Sequence, residues 1–463
     1  MKGRTLLLGA GVVVACLTAC DTDQAPSDTP LRDSQQQVIR EEVPALLDSL
    51  VPALQAAHNV PAVGIAVVRE GKVVHATTYG SHQDGRQAPP NTLFNVASIT
   101  KPVTTITTLR LVQSGEWSLD EPLHSWWVDE DVEADPRHRA ISTRHSLTHT
   151  TGFKNWRRME PEGQLTIHSE PGSRYQYSGE GMEYLRKALE ARFGKDLNML
   201  ADSLVFTPLD MKDATLAWLP DEDTARFAWW YDSNGQAYDV SYATPEVSAA
   251  DDLIVSAGDL AHFAIGAMKP DFIGDSLYAE MITPQVAIHD NASMGLGWQL
   301  VQDLPGGHYS LSHEGGDKGV ATIMVMLPQA NSAVIVLTNG DNGSIICNEV
   351  VKQVIPFGEE IIRKLSWGGE IPEVVTVPDT LLDRYAGAYR TNQQTDLNFT
   401  KTARGLKIKG QGVPTIEIYP SAENRFFPAD YELFFVFEAT DSGMTFKLLN
   451  QGNAILEGTK KRK

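Results

Sequence analysis

Ser98 and Lys101, in the run Leu93-Phe94-Asn95-Val96-Ala97-Ser98-Ile99-Thr100-Lys101-Pro102, place a hydroxyl and an amine three residues apart where a helix is expected to begin. On a helix such residues share a face, with Cβ atoms about 5–6 Å apart, so the pair can form a nucleophile with its own base. A neutral hydroxyl becomes an effective nucleophile only when a base takes its proton as it attacks. Free lysine keeps its proton to about pH 10.4, so burial or a cationic neighbour must depress that value before the amine can serve. Taken alone, Ser-x-x-Lys reads as an ordinary solvated helix start.

Other segments supply partners. Tyr175-Gln176-Tyr177-Ser178-Gly179 follows Pro171-Gly172, and Leu311-Ser312-His313-Glu314-Gly315-Gly316 precedes an apolar run. With Leu147-Thr148-His149-Thr150-Thr151-Gly152, these motifs resemble the serine hydrolases of the class C β-lactamase and penicillin-binding protein type, whose relatives share the Ser-x-x-Lys signature. The resemblance extends in order from Pro61 to Asn339. It implies an α+β fold, an antiparallel sheet flanked by helices beside a helical lobe, with the site between them. It also implies Ser98 as nucleophile, Lys101 as its base and Tyr177 as a proton relay toward the leaving group. The oxyanion donors would be the N–H groups of Ser98 and Gly316. Whether lysine or tyrosinate takes the serine proton stays open at this point, and no metal or organic cofactor is expected.

Two positions depart from the β-lactamase pattern. His313-Glu314-Gly315 stands where those enzymes carry Lys-Thr-Gly, a variant of the esterase and D-amino-acid peptidase branches. Histidine is only partly charged near neutral pH, so a fixed clamp on a substrate carboxylate is weakened. Gly179 occupies the place of an asparagine that would hold a substrate amide. His313, Gly315 and Gly179 are therefore expected at the substrate site. Ester or D-amino-acid peptide cleavage ranks above penicillin binding or β-lactam hydrolysis, and a non-catalytic binding lipoprotein that keeps the fold is the rival from another class. His313-Glu314 is not a zinc motif, because Asp317 stands where the second histidine would be. Gly-x-Ser-x-Gly and phosphate-binding glycine loops are absent. His149 is expected to organise its loop, Trp126-Trp127 to pack in the core, and Trp229-Trp230-Tyr231 to do so or to line an acyl pocket. Tyr177 beside Tyr175 has its own bland reading as a core aromatic.

The elements that must hold these groups are legible more coarsely. The 463 residues exceed a typical domain of about 100–200, and 42% apolar with 21% charged residues suits a packed soluble body. A net charge of -20 argues against nucleic acid as a partner. Lys2 and Arg4 precede an apolar stretch ending in Leu17-Thr18-Ala19-Cys20, too short to span a bilayer and shaped like an export signal. Its end resembles a bacterial lipobox, which implies lipid on Cys20, a membrane anchor, and a body facing the periplasm or exterior. Cys16 would leave with the signal, so Cys347 remains as one buried thiol without a disulfide partner.

Four segments are expected: a signal over 1–20, a flexible tether over 21–37, a hydrolase domain over 38–368 and an antiparallel β domain over 369–463. Val38 to Leu54 reads as a helix. Val63–Val68 with Val73-Val74 and Ala321–Leu327 with Ala333–Leu337 read as strands from opposite ends of one sheet. Beyond Pro372, short alternating strands at Leu406–Ile408, Ile416–Ile418, Phe434–Phe437 and Met444–Leu448 point to a small barrel or sandwich. Tyr385-Ala386-Gly387-Ala388-Tyr389 resembles the start of a lipocalin-like domain. The substrate is expected to be a small ester, amide or peptide.

Overall fold

The computed structural model describes residues 29–461 except 218–222, 240–245, 371, 394, 411–412, 429, 441–442 and 451, with side chains from Val43 onward other than 413–415. The signal segment, Cys16 and Cys20 lie outside these residues. The first helix spans Thr29–His58, so residues 29–37, read from composition as tether, are helical. Their Leu, Arg and Gln content is compatible with a helix, and a polar composition alone did not distinguish the two. From Val43 the helix joins the main body, and Val43, Leu47 and Val51, spaced at helical intervals, are buried.

The strands of that body are β1 (Ala62–Arg69), β2 (Lys72–Gly80), β3 (Phe94–Asn95), β4 (Ile254–Val255), β5 (Val286–His289), β6 (Ala292–Met294), β7 (Gln299–Leu304), β8 (His308–Asp317), β9 (Val320–Leu327) and β10 (Ser332–Thr338). Eight of them form one sheet in the order β2-β1-β10-β9-β8-β7-β6-β5, with β1 antiparallel to β10 and Ile65 opposite Val336. Strands distant in sequence therefore pair side by side near one edge of the sheet, as the separated strand signals imply.

Strands β1, β9 and β10 are buried at every position, because both faces of the sheet are covered. Ala62, Ala66, Met324 and Met326 join a core with the helices Thr100–Gln113, Gly179–Phe193 and Ala257–Ala267. Val63, Ile65, Ile323 and Val325 point the other way, into a core with the helix Gly343–Val354. Cys347 lies on that helix, buried and free. Trp230 is buried in a small cluster with Ala97 and Phe227, and Tyr231 is buried as well, which makes both core. Trp126, expected in the core, is 39% exposed instead; its indole N–H donates to Glu121 across a 2.8 Å contact, and the polar edge keeps it at the surface.

After the helix Asp379–Tyr385, eight strands from β11 (Gly387–Thr391) to β18 (Asn453–Lys460) close into a barrel. Closure removes free edges. Tyr389, Phe399, Phe426, Phe435, Phe437 and Phe446 are buried in its core, so the barrel interior is packed with aromatic rings. The barrel is fixed to the main body by Trp367, whose ring lies 5.5 Å from Phe427 and 5.6 Å from Phe434. Lys352 pairs with Asp430 at 2.5 Å, and Glu432 accepts the Gly368 N–H at 2.8 Å.

Candidate active site

Pairing of β3 with β4 delivers the chain into a short 3-10 turn, Ala97–Ile99, that runs into the helix Thr100–Gln113. Ala97 has φ +47, a left-handed conformation that costs a residue with a Cβ about 1–3 kcal/mol. Neighbours hold it there. Asn95 Oδ1 accepts the Ala97 N–H at 2.7 Å and the Thr100 hydroxyl donates to the Ala97 carbonyl at 2.6 Å. The strain presents Ser98 at the helix start.

Lys101, one turn on, is 1% exposed. Its Nζ donates to Ser98 Oγ at 2.8 Å and to the Ala250 carbonyl at 2.7 Å. Burial pulls its pKa below the ordinary lysine range, against the opposing pull of Asp251 and Glu183. Burial likewise raises the Asp251 carboxyl, and Asp252 adds to the rise. The Tyr177 phenol lines the cleft with Ser98, whose hydroxyl favours its ionised form, and Lys101 Nζ lies 4.9 Å from its ring centroid. Burial lifts that phenol well above the ordinary tyrosine range, so the neutral phenol is strongly favoured.

Tyr177 precedes the helix Gly179–Phe193, whose N-cap is Ser178. Its loop is held by His149 from two sides. The His149 carbonyl accepts the Gln176 N–H at 2.8 Å, and Nδ1 accepts the Ser178 N–H at 3.2 Å. The two rings lie 4.4 Å apart. Burial and the Lys101 charge depress His149 far below its usual range, so it stays neutral as an organiser of the loop.

Strand β8 closes the other side. A Cβ on Gly315 would lie 2.2 Å from the Val96 carbonyl and 2.3 Å from Thr322 Oγ1, so only glycine lets β8 approach the serine turn this closely. Thr322 ties the two together by donating to Val96 O at 2.9 Å. Pairing of β7 with β8 reaches Ser312 and stops, so from His313 onward β8 pairs with β9 alone. Ser98, Tyr177, His313, Gly315 and Gly316 share a cleft of about 1070 Å³. His313 Nδ1 donates to the Glu314 carbonyl at 2.7 Å, and burial with the Lys101 charge pulls its pKa down to about 3. The ring is neutral and supplies no fixed positive charge for a substrate carboxylate.

Gly179 does not line the cleft. It is buried under Trp156, whose ring atoms would lie 2.8–2.9 Å from a Cβ at this position. Asn155 faces the cleft instead, its Oδ1 accepting the Gly179 N–H at 2.8 Å and its Nδ2 without a partner among the described residues. Sequence reading missed Asn155, and its only signal was an amide beside a tryptophan in a polar loop. Gly179→Asn is therefore expected to displace Trp156 and destabilise the fold by about 1–3 kcal/mol, measured by urea unfolding, rather than to supply an amide.

Residues 47–345 match the Beta-lactamase family model. The chain belongs to the Beta-lactamase family. It is thus a serine hydrolase of that group. It is 23% identical over 399 residues to penicillin-binding protein 4* of Bacillus subtilis, covering 76% of this chain and 84% of that one. It is 30% identical over 191 residues to esterase EstB of Burkholderia gladioli, covering 35% and 48%. The octameric penicillin-binding protein homologue of Pyrococcus abyssi superposes with a TM-score of 0.60 at 18% identity, covering 89% of this chain and 99% of that one. That last likeness concerns the fold, including the barrel.

Proposed function

We propose that this family member cleaves an ester or amide through an acyl-Ser98 intermediate, with esters and D-amino-acid peptides ahead of β-lactams. The observation that carries the reading is the Lys101 amine, 2.8 Å from Ser98 Oγ and depressed by burial, beside a phenol held neutral. Neutral Lys101 takes the Ser98 proton as Oγ attacks the carbonyl carbon. The oxyanion is met by the N–H groups of Ser98 and Gly316. Tyr177 gives its proton to the departing alkoxide or amine, and the lysine ammonium returns one to it. Water then cleaves the acyl ester and Oγ is reprotonated. Neutral His313 leaves no cationic clamp of the kind a β-lactam carboxylate favours.

A panel of a p-nitrophenyl ester, a D-amino-acid peptide and a cephalosporin tests the ranking, with turnover of the cephalosporin alone contradicting it. The pH profile carries the base assignment. Activity needs Lys101 deprotonated, so kcat/KM is expected to rise through a midpoint below the ordinary lysine value and to fall only above the ordinary tyrosine range. A rising limb centred at the free-lysine value would reject Lys101 as a tuned base. We also infer from Leu17-Thr18-Ala19-Cys20 that the chain is exported and lipid-anchored through Cys20. Palmitate incorporation that is lost in Cys20→Ser checks this.

A further inference from the structure

The catalytic cleft does not end at the serine. It continues around the free end of β8 to the C-terminal barrel, where Asp430, Tyr431 and Glu432 form its outer wall. Cross-strand partners in a sheet share a face. Glu314 lies opposite Ile323 and His313 opposite Met324, and those two partners belong to the cores on opposite sides of the sheet. His313 therefore faces the serine, and Glu314 faces the barrel. Glu314, Tyr177 and Tyr431 line the same cleft, and the Glu314 charge acts on both phenols.

The charged side chains lining this cleft are Glu314, Asp317, Asp341, Asp430 and Glu432, with no lysine or arginine among the described lining residues. One of the five is neutralised, Asp430 by Lys352. Backbone N–H groups satisfy Asp317, Asp341 and Glu432 without cancelling their charge. The Glu314 carboxylate has neither a hydrogen bond nor an ion pair among the described residues. A second observation lies at the serine end of the same cleft. His313 is 1% exposed, its Nδ1–H is spent on the Glu314 carbonyl, and its Nε2 has no partner. What remains at Nε2 is a lone pair that asks for an N–H donor. The protein has thus placed carboxylates, an aromatic ring and an unfilled acceptor along one cleft, and left the complementary cation and donor to a ligand.

We propose that the cleft takes a substrate bearing a cationic amine remote from the scissile bond, held between Glu314 and the barrel residue Tyr431. The inference rests on the hydrolase reading above and adds the charge of its substrate. It also gives the barrel a task, since its wall selects what reaches Ser98. A carboxylate at the same place meets like charge, and an ammonium meets Glu314 and the face of an aromatic ring.

Matched p-nitrophenyl esters whose acyl chains end in trimethylammonium, hydroxyl or carboxylate test it, together with a second series carrying those groups on the leaving alcohol. In at least one series kcat/KM is expected to favour the cation over the carboxylate by about tenfold or more, with the gap narrowing at high salt. That ratio should fall toward one in Glu314→Gln and shrink in Tyr431→Ala, while the salt dependence of the unaltered enzyme gives a readout if either variant misfolds. Equal rates for all three charges in both series, or a preference for carboxylate, would overturn the proposal and leave the hydrolase reading standing. Should no ester be turned over, the ester half of the hydrolase reading falls by itself. Calorimetric binding of hexyltrimethylammonium against hexanoate then decides the charge question, equal affinities counting against it.

Discussion

Lys101→Met should lower kcat/KM for an activated ester by about 10³–10⁴, while the thermal unfolding midpoint holds or rises. The two halves have one cause. Lys101 is buried at 1% exposure, so keeping an ammonium there is unfavourable, and that same cost lowers its pKa and makes it a base. Methionine fills a similar volume without charge. Removing a buried charge in favour of a packed apolar chain is often neutral or stabilising, and the Asp251 carboxyl, already pushed up, can answer by taking a proton. Stopped assays with thermal melts on the same preparations check both halves. A variant that loses stability in step with activity would mean that the amine holds the site together rather than serving it.

Gly315→Ala should cost about 10²–10³ in kcat. The added methyl would sit 2.2 Å from the Val96 carbonyl, so β8 must retreat from the serine turn or the turn must shift. Either movement carries the Gly316 N–H away from the place where the oxyanion forms, and it breaks the Thr322 bond to Val96. Small displacements of this kind are expensive because the donors act only when already in position. Steady-state kinetics should show the loss in kcat more than in KM. Unchanged kcat would mean that β8 does not supply the oxyanion donor.

Much of this site was legible in the chain because its signals are local. Ser98 and Lys101 sit one turn apart, and Tyr177 is flanked by the Pro171-Gly172 turn and the helix cap Ser178. The strands β1, β9 and β10 are continuous apolar runs that turn signals bound on both sides. What escaped reading depends on contacts between distant segments. Asn155 faces the cleft and accepts the Gly179 N–H, while Trp156 covers that glycine. Asp251 acts on Lys101 through a loop about 150 residues away, which also supplies the Ala250 carbonyl. Tyr431 reaches the cleft only because the Lys352–Asp430 pair and the Glu432–Gly368 bond seat the barrel against it. No periodicity or motif encodes such contacts. Residues 29–37 escaped for a different reason, since a short polar stretch fits either a tether or the first turns of a helix.

The account stands on Ser98 forming a covalent acyl bond. Treating the folded protein with a fluorophosphonate and mapping the adduct by peptide mass spectrometry tests this directly. The modification is expected on the peptide containing Ser98, with none on the Ser98→Ala protein and slowed labelling in Lys101→Met. An unmodified Ser98 in active protein, or equal labelling of the alanine variant at another residue, would contradict the nucleophile assignment.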